Sequence, residues 1–378
     1  YCNATDHIEE MQDITEKLLE KGYAYEKEGS VYFDVRKFSE YGKLSGRKIE
    51  DMEAGSRVEV SEEKKHPLDF ALWKKVEDEE PTWESPWGKG WPGWHIECSA
   101  MSMKYLGNRF DIHGGGTDLI FPHHENEIAQ SEACSGEKPF VKYWLHNGTV
   151  NLKGEKMSKS VGNFFTTREL LQKYDSDVIR YFVLGKHYHS PIDFSLEELD
   201  KAEKSLSGLQ NTLKTIRRLI EKEPVAGENQ GFSEHELVDL LKEKRQEFEE
   251  AMDNDFNTAR GLAVIHELAT KINTLINDSD FKLNGNNIIL LREADNLFRR
   301  LTGVLGLKLD EDGKQITGGK LTEDLIDYIL KLREEAREQK NFDFADRIRD
   351  DLDEMGIVVR DGPQGVIWDF KKEEQNGD

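Results

Sequence analysis

GWHIECSAM at 93–101, FDIHGGGTDLIFPHHENEIAQS at 110–131 and EKMSKSVGNFF at 155–165 form the stretch around which the rest of the chain is organised. Three chemistries follow one another along it. The first is a soft metal site. His123 and Glu127 stand four residues apart, so on a helix they share one face, as two ligands of one ion must. Cys98 lies 123 − 98 = 25 residues earlier, at the end of an apolar, strand-like run. Cysteine, histidine and glutamate are all zinc ligands. Each also has a plain reading: a lone cysteine is a small buried apolar group, and HHENE is a solvated helix face. Cys134 is a fourth ligand by type, but in the polar run EACSGEK it reads as an ordinary loop thiol.

The second chemistry is a glycine-rich turn. Gly114, Gly115 and Gly116 let a backbone approach a ligand closely, and Asp118 stands where a carboxylate could take a ribose hydroxyl. The third is KMSKS at 156–160. Lys156 and Lys159 sit among small residues between Gly154 and Gly162. Ammonium groups on such a loop can close over a triphosphate and neutralise the charge that develops as pyrophosphate leaves.

Upstream, Ile8, Met11, Ile14, Leu18 and Leu19 recur at helical spacing and Gly22 is placed to end that helix. AYEKEGSVYFDV reads as a hairpin turning near Gly29-Ser30, and PLDFALWKK as a strand. Trp83, Trp87, Trp91 and Trp94 in a Pro/Gly-rich segment are packed walls, one or two of which could line a pocket. Downstream, TTREL carries a capping box on Thr166 or Thr167 with Glu169. Helices are predicted at 195–223, 233–253, 256–277 and 286–305, which makes a bundle. A polar linker, 306–320, precedes two more helices and a strand–turn–strand ending, with a tail at 371–378.

Lys and Arg total 52 against 75 Asp and Glu, a formal charge of −23. That balance argues against nonspecific binding to nucleic acid or anionic membrane, though not against a local basic face. Lys214, Arg217 and Arg218 share one helix face and could meet phosphate, or simply be solvated. No apolar run reaches the ~18 residues that span a bilayer. Three cysteines are too few for a disulfide scaffold, and no charged-then-apolar leader opens the chain, so a cytoplasmic home is expected.

Taken together, KMSKS, GWHIECSAM and HGGGTDLIFPHHENEIAQ closely resemble the cysteinyl-tRNA synthetases, which are class I aminoacyl-tRNA synthetases. The likeness covers essentially the whole chain. It includes the ATDHI entry helix, DFALWK, and NFDFADRIRDDLDEMGIVVRDGPQGVIW, which resembles that family's anticodon-binding domain. The resemblance implies an α/β plus all-α chain. Residues 1–90 would be mostly a connective insertion, 91–165 the second half of a Rossmann catalytic domain and 166–194 a stem-contact segment. The bundle would occupy 195–305, the linker 306–320 and the anticodon-binding domain 321–370.

The implied activity is ATP-dependent conversion of cysteine to cysteinyl-adenylate, then transfer to tRNA(Cys), with Mg2+ accompanying ATP. One Zn2+ per subunit would select the substrate thiolate. The family holds it with two cysteines, a histidine and a glutamate, of which Cys98, His123 and Glu127 match three; Cys2 is not assigned to zinc. Trp94 matches the base of the amino-acid pocket, His113, the glycines and Asp118 would flank adenosine, and Lys159 would contact ATP phosphates. Arg337, Phe342 and Asp346 match candidate anticodon readers; Phe342 could equally be core. The chain lacks the HIGH-type motif of the family's first Rossmann half, so it reads as a fragment or split partner, at best a poor catalyst alone. Two other readings fit parts of the pattern. One is a cysteine ligase acting on an amino-sugar acceptor, the other a noncatalytic tRNA-binding remnant.

Overall fold

The computed structural model describes residues 1–49, 64–76, 81–152, 155–156, 165–224, 234–279, 281–309, 320–362 and 365–370. They fall into two compact units: Tyr1–Thr149 with His189–Pro191, and Val150–Tyr188 with Ile192–Asp378.

The first unit begins with α1 (Ile8–Glu20), which buries Met11, Ile14 and Leu18 and ends before Gly22 at φ +76°. Strands β1 (Ala24–Lys27) and β2 (Ser30–Phe33) form the expected hairpin. Its two connecting residues, Glu28 and Gly29, both have positive φ, as a turn matched to strand twist requires. β3 (Phe70–Lys75) and β4 (Gly90–Pro92) complete an antiparallel sheet in the order β1-β2-β3-β4. Of the four tryptophans expected as walls, Trp83 and Trp87 pack on this core, Trp87 against the fully buried Trp73 at 6.0 Å, whereas Trp94 is exposed.

Helix α2 (Trp94–Leu106) follows at once. A Cβ on Gly93 would fall 1.8 Å from the Ala71 carbonyl oxygen, so only glycine lets the chain enter the helix this close to β3. Cys98 is therefore helical, not the end of a strand. The buried face Ile96, Ser99 and Ala100 has helical spacing, which the apolar run WHI conceals.

β5 (Phe110–Gly116) and β6 (Val141–Asn147) are parallel and joined through α3 (Glu125–Ser135). The glycines are the last residues of β5, paired with Leu145, His146 and Asn147, rather than a turn. HHENE is no solvated face: residues 123–134 are buried without interruption. Cys134 lies inside α3 and in the apolar core, not in a loop. Packing on several sides of α3 overrides the polar composition that suggested exposure.

The second unit opens with β7 (Val150–Leu152), set between antiparallel β8 (Glu155–Lys156) and parallel β9 (Ile192–Phe194). Thr166 and Glu169 form the capping box of α4 (Thr167–Leu170), and α5 (Ser176–Leu184) follows. Ser195 caps α6 (Leu196–Ile220), which forms one core with α7 (Glu234–Asp253), α8 (Thr258–Ile276) and α9 (Gly285–Val304). Leu199, Leu206, Leu209, Leu213 and Ile216 line the α6 side of their common core. A smaller core of Ile326, Leu330, Leu352, Ile357 and Trp368 joins α10 (Lys320–Glu338), α11 (Phe342–Glu354) and the hairpin β10 (Ile357–Gly362)–β11 (Gly365–Phe370). No helix among the described residues is long and apolar enough to cross a membrane. Lys159, most of the 306–320 linker and the 371–378 tail lie outside the described residues.

Candidate active site

α2, α3 and the helical turn Ile120–His124 that leads into α3 bring Cys98, His123 and Glu127 together. One ligand atom from each lies within 4.8 Å of the others. Glu127 is fully buried. Burial opposes its ionisation, but the two neighbouring rings, His113 through a hydrogen bond and His123 by proximity, outweigh this and hold its carboxyl at about 2. His113 Nε2 is 3.0 Å from Glu127 Oε2. His123 Nε2 is 2.9 Å from Oε1, yet out of line for a hydrogen bond, so that buried oxygen has a close ring nitrogen and no aligned donor. Burial first, then the Glu127 and Glu97 carboxylates, push the Cys98 thiol up to about 12. Without a cation the sulfur keeps its proton; a divalent ion at this position would displace it.

This donor set fits zinc: one soft sulfur, one imidazole nitrogen and one ionised carboxylate oxygen lacking a donor. His95 Nδ1 lies 2.8 Å from His123 Nδ1, which fixes the ring that presents Nε2 to Glu127. Trp94 stacks on His123, with ring centroids 4.4 Å apart, and is 61% exposed. An exposed indole thus lies against a buried imidazole. Cys134 and Cys2 belong to neither metal-competent group among the described residues.

His113 leads into the three glycines at the carboxyl end of β5, where open α/β sheets bind ligands. A Cβ on Gly114 would fall 2.9 Å from the Leu145 carbonyl oxygen, and one on Gly115 2.9 Å from the His124 ring. Asp118 reaches back over Gly116. Sequence reading missed the rest of the histidine cluster. His124 Nδ1 lies 2.8 Å from His146 Nε2, and Trp144 packs on His113 and His124 at 4.9 and 5.0 Å. Burial lowers His95 and His124 to about 4, so both stay neutral near pH 7. With His113, His124 and Glu127 also forming a metal-competent group, Glu127 is the hinge of the cluster.

The backbone of Lys156 lies in β8, paired with Asn151. The basic face of α6 is divided. Arg217 binds Asp295 at 3.1 Å, while Arg218 lies over the Trp368 ring and donates to its carbonyl oxygen. In the C-terminal module Arg337 pairs with Asp361 at 3.0 Å and Asp346 with Arg349 at 3.5 Å. Phe342 is 58% exposed, so it is not core.

Residues 1–204 match the class I (C) tRNA synthetase catalytic domain, 247–310 the DALR domain and 322–368 the cysteinyl-tRNA ligase anticodon binding domain. The fold resembles that of Mycobacterium tuberculosis methionyl-tRNA synthetase in complex with methionyl-adenylate. The TM-score is 0.56 at 14% identity, over 81% of this chain and 72% of that one. These matches define the class: a class I aminoacyl-tRNA synthetase, with an α/β catalytic region, a helical region and an anticodon-binding domain. The cysteine–tRNA ligase of Thermococcus onnurineus is 52% identical over 97% of this chain and 76% of its own length, and that of Heliobacterium modesticaldum 50% over 96% and 75%. The chain belongs to the cysteine–tRNA ligases, ATP-using enzymes that aminoacylate tRNA(Cys). These matches run through the C-terminal module and support neither the amino-sugar ligase nor the noncatalytic remnant.

Proposed function

We propose that Cys98, His123 and Glu127 hold a zinc ion that selects the cysteine substrate by its sulfur, with Trp94 as the wall against which the amino acid lies. The convergence of those three ligand atoms beneath an exposed indole carries this reading. Bound zinc supplies a borderline-soft Lewis acid, for which a thiolate is a far better ligand than the hydroxyl of serine. Selection of this kind rejects serine without an editing step.

The chain's own residues do the rest in this reading. Neutral His95 orients His123 through their 2.8 Å contact, and His113 orients Glu127. His113, Gly114, Gly115, Gly116 and Asp118 border the adenosine of ATP. Lys156 and Lys159 neutralise phosphate charge, alongside Mg2+, as pyrophosphate leaves. Arg337, Phe342 and Asp346 meet the anticodon, with exposed Phe342 stacking on an unpaired base.

A class I nucleotide crevice is built from two halves. Ile112 and Tyr143 are register partners on β5 and β6, and each is 57% exposed. Parallel sheets normally have both faces covered. We propose that a second half carrying the HIGH-type residues covers this pair and completes the crevice, from the same polypeptide or a separate one.

The experiment is cysteine-dependent ATP–pyrophosphate exchange by this chain together with the half carrying the HIGH-type residues, run with cysteine and with serine, before and after chelation. Cysteine is expected to support exchange, serine to give none, and chelation to abolish it until zinc is returned. Full exchange in protein shown to be free of zinc would reject the metal reading.

A further inference from the structure

The segment from Phe38 to Arg47 is fastened to α3 by three polar residues that flank Glu127 in sequence. Tyr41 donates its hydroxyl to Asn126 Oδ1 at 2.5 Å. The Glu125 carboxylate accepts from the backbone N–H of Leu44 at 3.2 Å and of Ser45 at 2.8 Å. Lys43 Nζ reaches Glu132 at 2.6 Å. Glu125, Asn126 and Glu132 are all essentially buried, and a buried polar group is costly unless paired. The metal-bearing helix thus devotes three buried side chains to holding one surface loop.

Two glycines shape the loop itself. Gly42 has φ +97°, and a Cβ there would fall 1.8 Å from the Arg47 carbonyl oxygen. Gly46, at φ +70°, donates its N–H to the Gly42 carbonyl at 2.8 Å. Both glycines permit a closed loop that other residues would strain. Its product is the placement of Arg47. The guanidinium sits 4.8 Å from the centroid of the Phe121 ring, and Tyr41 packs edge-on to the same ring. Phe121 lies two residues before His123, where extended backbone (φ −138°, ψ 131°) turns into the helix. Arg47 is exposed and pairs with no carboxylate among the described residues, in a chain where acids outnumber bases 75 to 52. A guanidinium laid on an aromatic ring keeps its donors in one plane with their outer edge free, the arrangement suited to phosphate.

We propose that Arg47 is a tRNA-binding residue that contacts a backbone phosphate of the single-stranded 3′ end as that end approaches the Trp94–His123 pocket. The Tyr41, Lys43 and Glu125 contacts are the device that positions it. The proposal rests on reading the Cys98–His123–Glu127 pocket as the aminoacylation site. The other phosphate that could be met there is that of ATP, and the test separates the two sources.

The test compares Arg47→Gln and Arg47→Lys with unaltered full-length enzyme. Thermal melting and zinc content first establish that fold and metal are retained. Arg47→Gln is expected to raise KM for tRNA roughly 10-fold and to make the fall of tRNA affinity with salt shallower by about 0.7 in log–log slope, one phosphate on a single strand. Cysteine-dependent exchange, which needs no tRNA, stays unchanged. Arg47→Lys keeps much of the salt slope. Unchanged tRNA KM and salt slope in Arg47→Gln would overturn the proposal. A raised KM for ATP in the exchange reaction would overturn it too, by giving the contact to ATP. If unaltered enzyme shows no cysteine-dependent exchange, the reading of the pocket fails, while tRNA affinity and its salt slope still decide for or against the Arg47 contact.

Discussion

Glu125 and Glu127 are carboxylates two positions apart on one helix, both fully buried, and they do different work. Glu127 turns toward His113, His123 and Cys98 and presents an oxygen without an aligned donor. Glu125 turns the other way and is satisfied by the backbone N–H groups of Leu44 and Ser45. Substitution by glutamine preserves shape and removes charge in each. Glu127→Gln is expected to weaken zinc binding by at least about 10–100-fold, because an anionic ligand is replaced by a neutral amide. Glu125→Gln should leave zinc affinity near that of the unaltered protein. A competition titration against a chelating dye reads both. Equal zinc affinity in the two variants would show that the metal assignment is misplaced.

At the scale of elements, the C-terminal hairpin is tied to its helices by charge. Arg333, buried in α10, grips Asp361 of β10 at 2.6 and 2.8 Å, and Arg337 adds a contact at 3.0 Å. The hydrogen bonds from Arg333 hold the Asp361 carboxyl below its ordinary range against the opposing effect of burial. A carboxyl lowered on folding stabilises the folded state above its unfolded value of about 3.9, and that contribution disappears as pH falls through the folded value. Asp361→Asn is therefore expected to destabilise the module near pH 7, with the gap from the unaltered chain closing as pH falls below about 4. Hydrogen exchange of the β10–β11 amides at several pH values measures it. A gap that stays constant over that range would remove Asp361 as its cause.

The same scale shows what the sequence carries legibly. The bundle helices could be read because Leu199, Leu206, Leu213 and Ile216 repeat with the helical period, and Ser195 marks a start. α2 could not, and α3 was legible as a helix but not as a buried one. Their polar residues are buried among one another, as Gln130 is on Ser99 and Glu132 on the Phe140 N–H, so no apolar stripe betrays them. Cys98, His123 and Glu127 were visible through residue type and spacing. His95, His124 and His146 were not, because they meet only when α2, α3 and β6 are assembled, and no local pattern encodes that. The glycines were recognised as a place of close approach, but the neighbours that require them are Leu145 and His124, contributed by other elements.

For the whole molecule, the pocket and the C-terminal module belong to different compact units, and a tRNA is the one substrate large enough to need both. In the proposed reading adenylate formation needs no anticodon, and transfer adds the tRNA. Phe342 tests this division, because its ring stands on the first turn of α11 and contributes little to the module's core. Stacking an unpaired base on such a ring contributes about 1–3 kcal/mol. Phe342→Ala should therefore reduce kcat/KM for tRNA aminoacylation by roughly 5–150-fold. Cysteine-dependent ATP–pyrophosphate exchange should be untouched, since no anticodon takes part in it. The effect should also vanish when the substrate is shortened to an acceptor-stem minihelix, which has no anticodon to lose. If the loss persists with the minihelix, Phe342 acts through the fold of its module and not by meeting a base. If exchange itself falls, the C-terminal module acts on adenylate formation without tRNA, and the division of labour between it and the pocket is wrong.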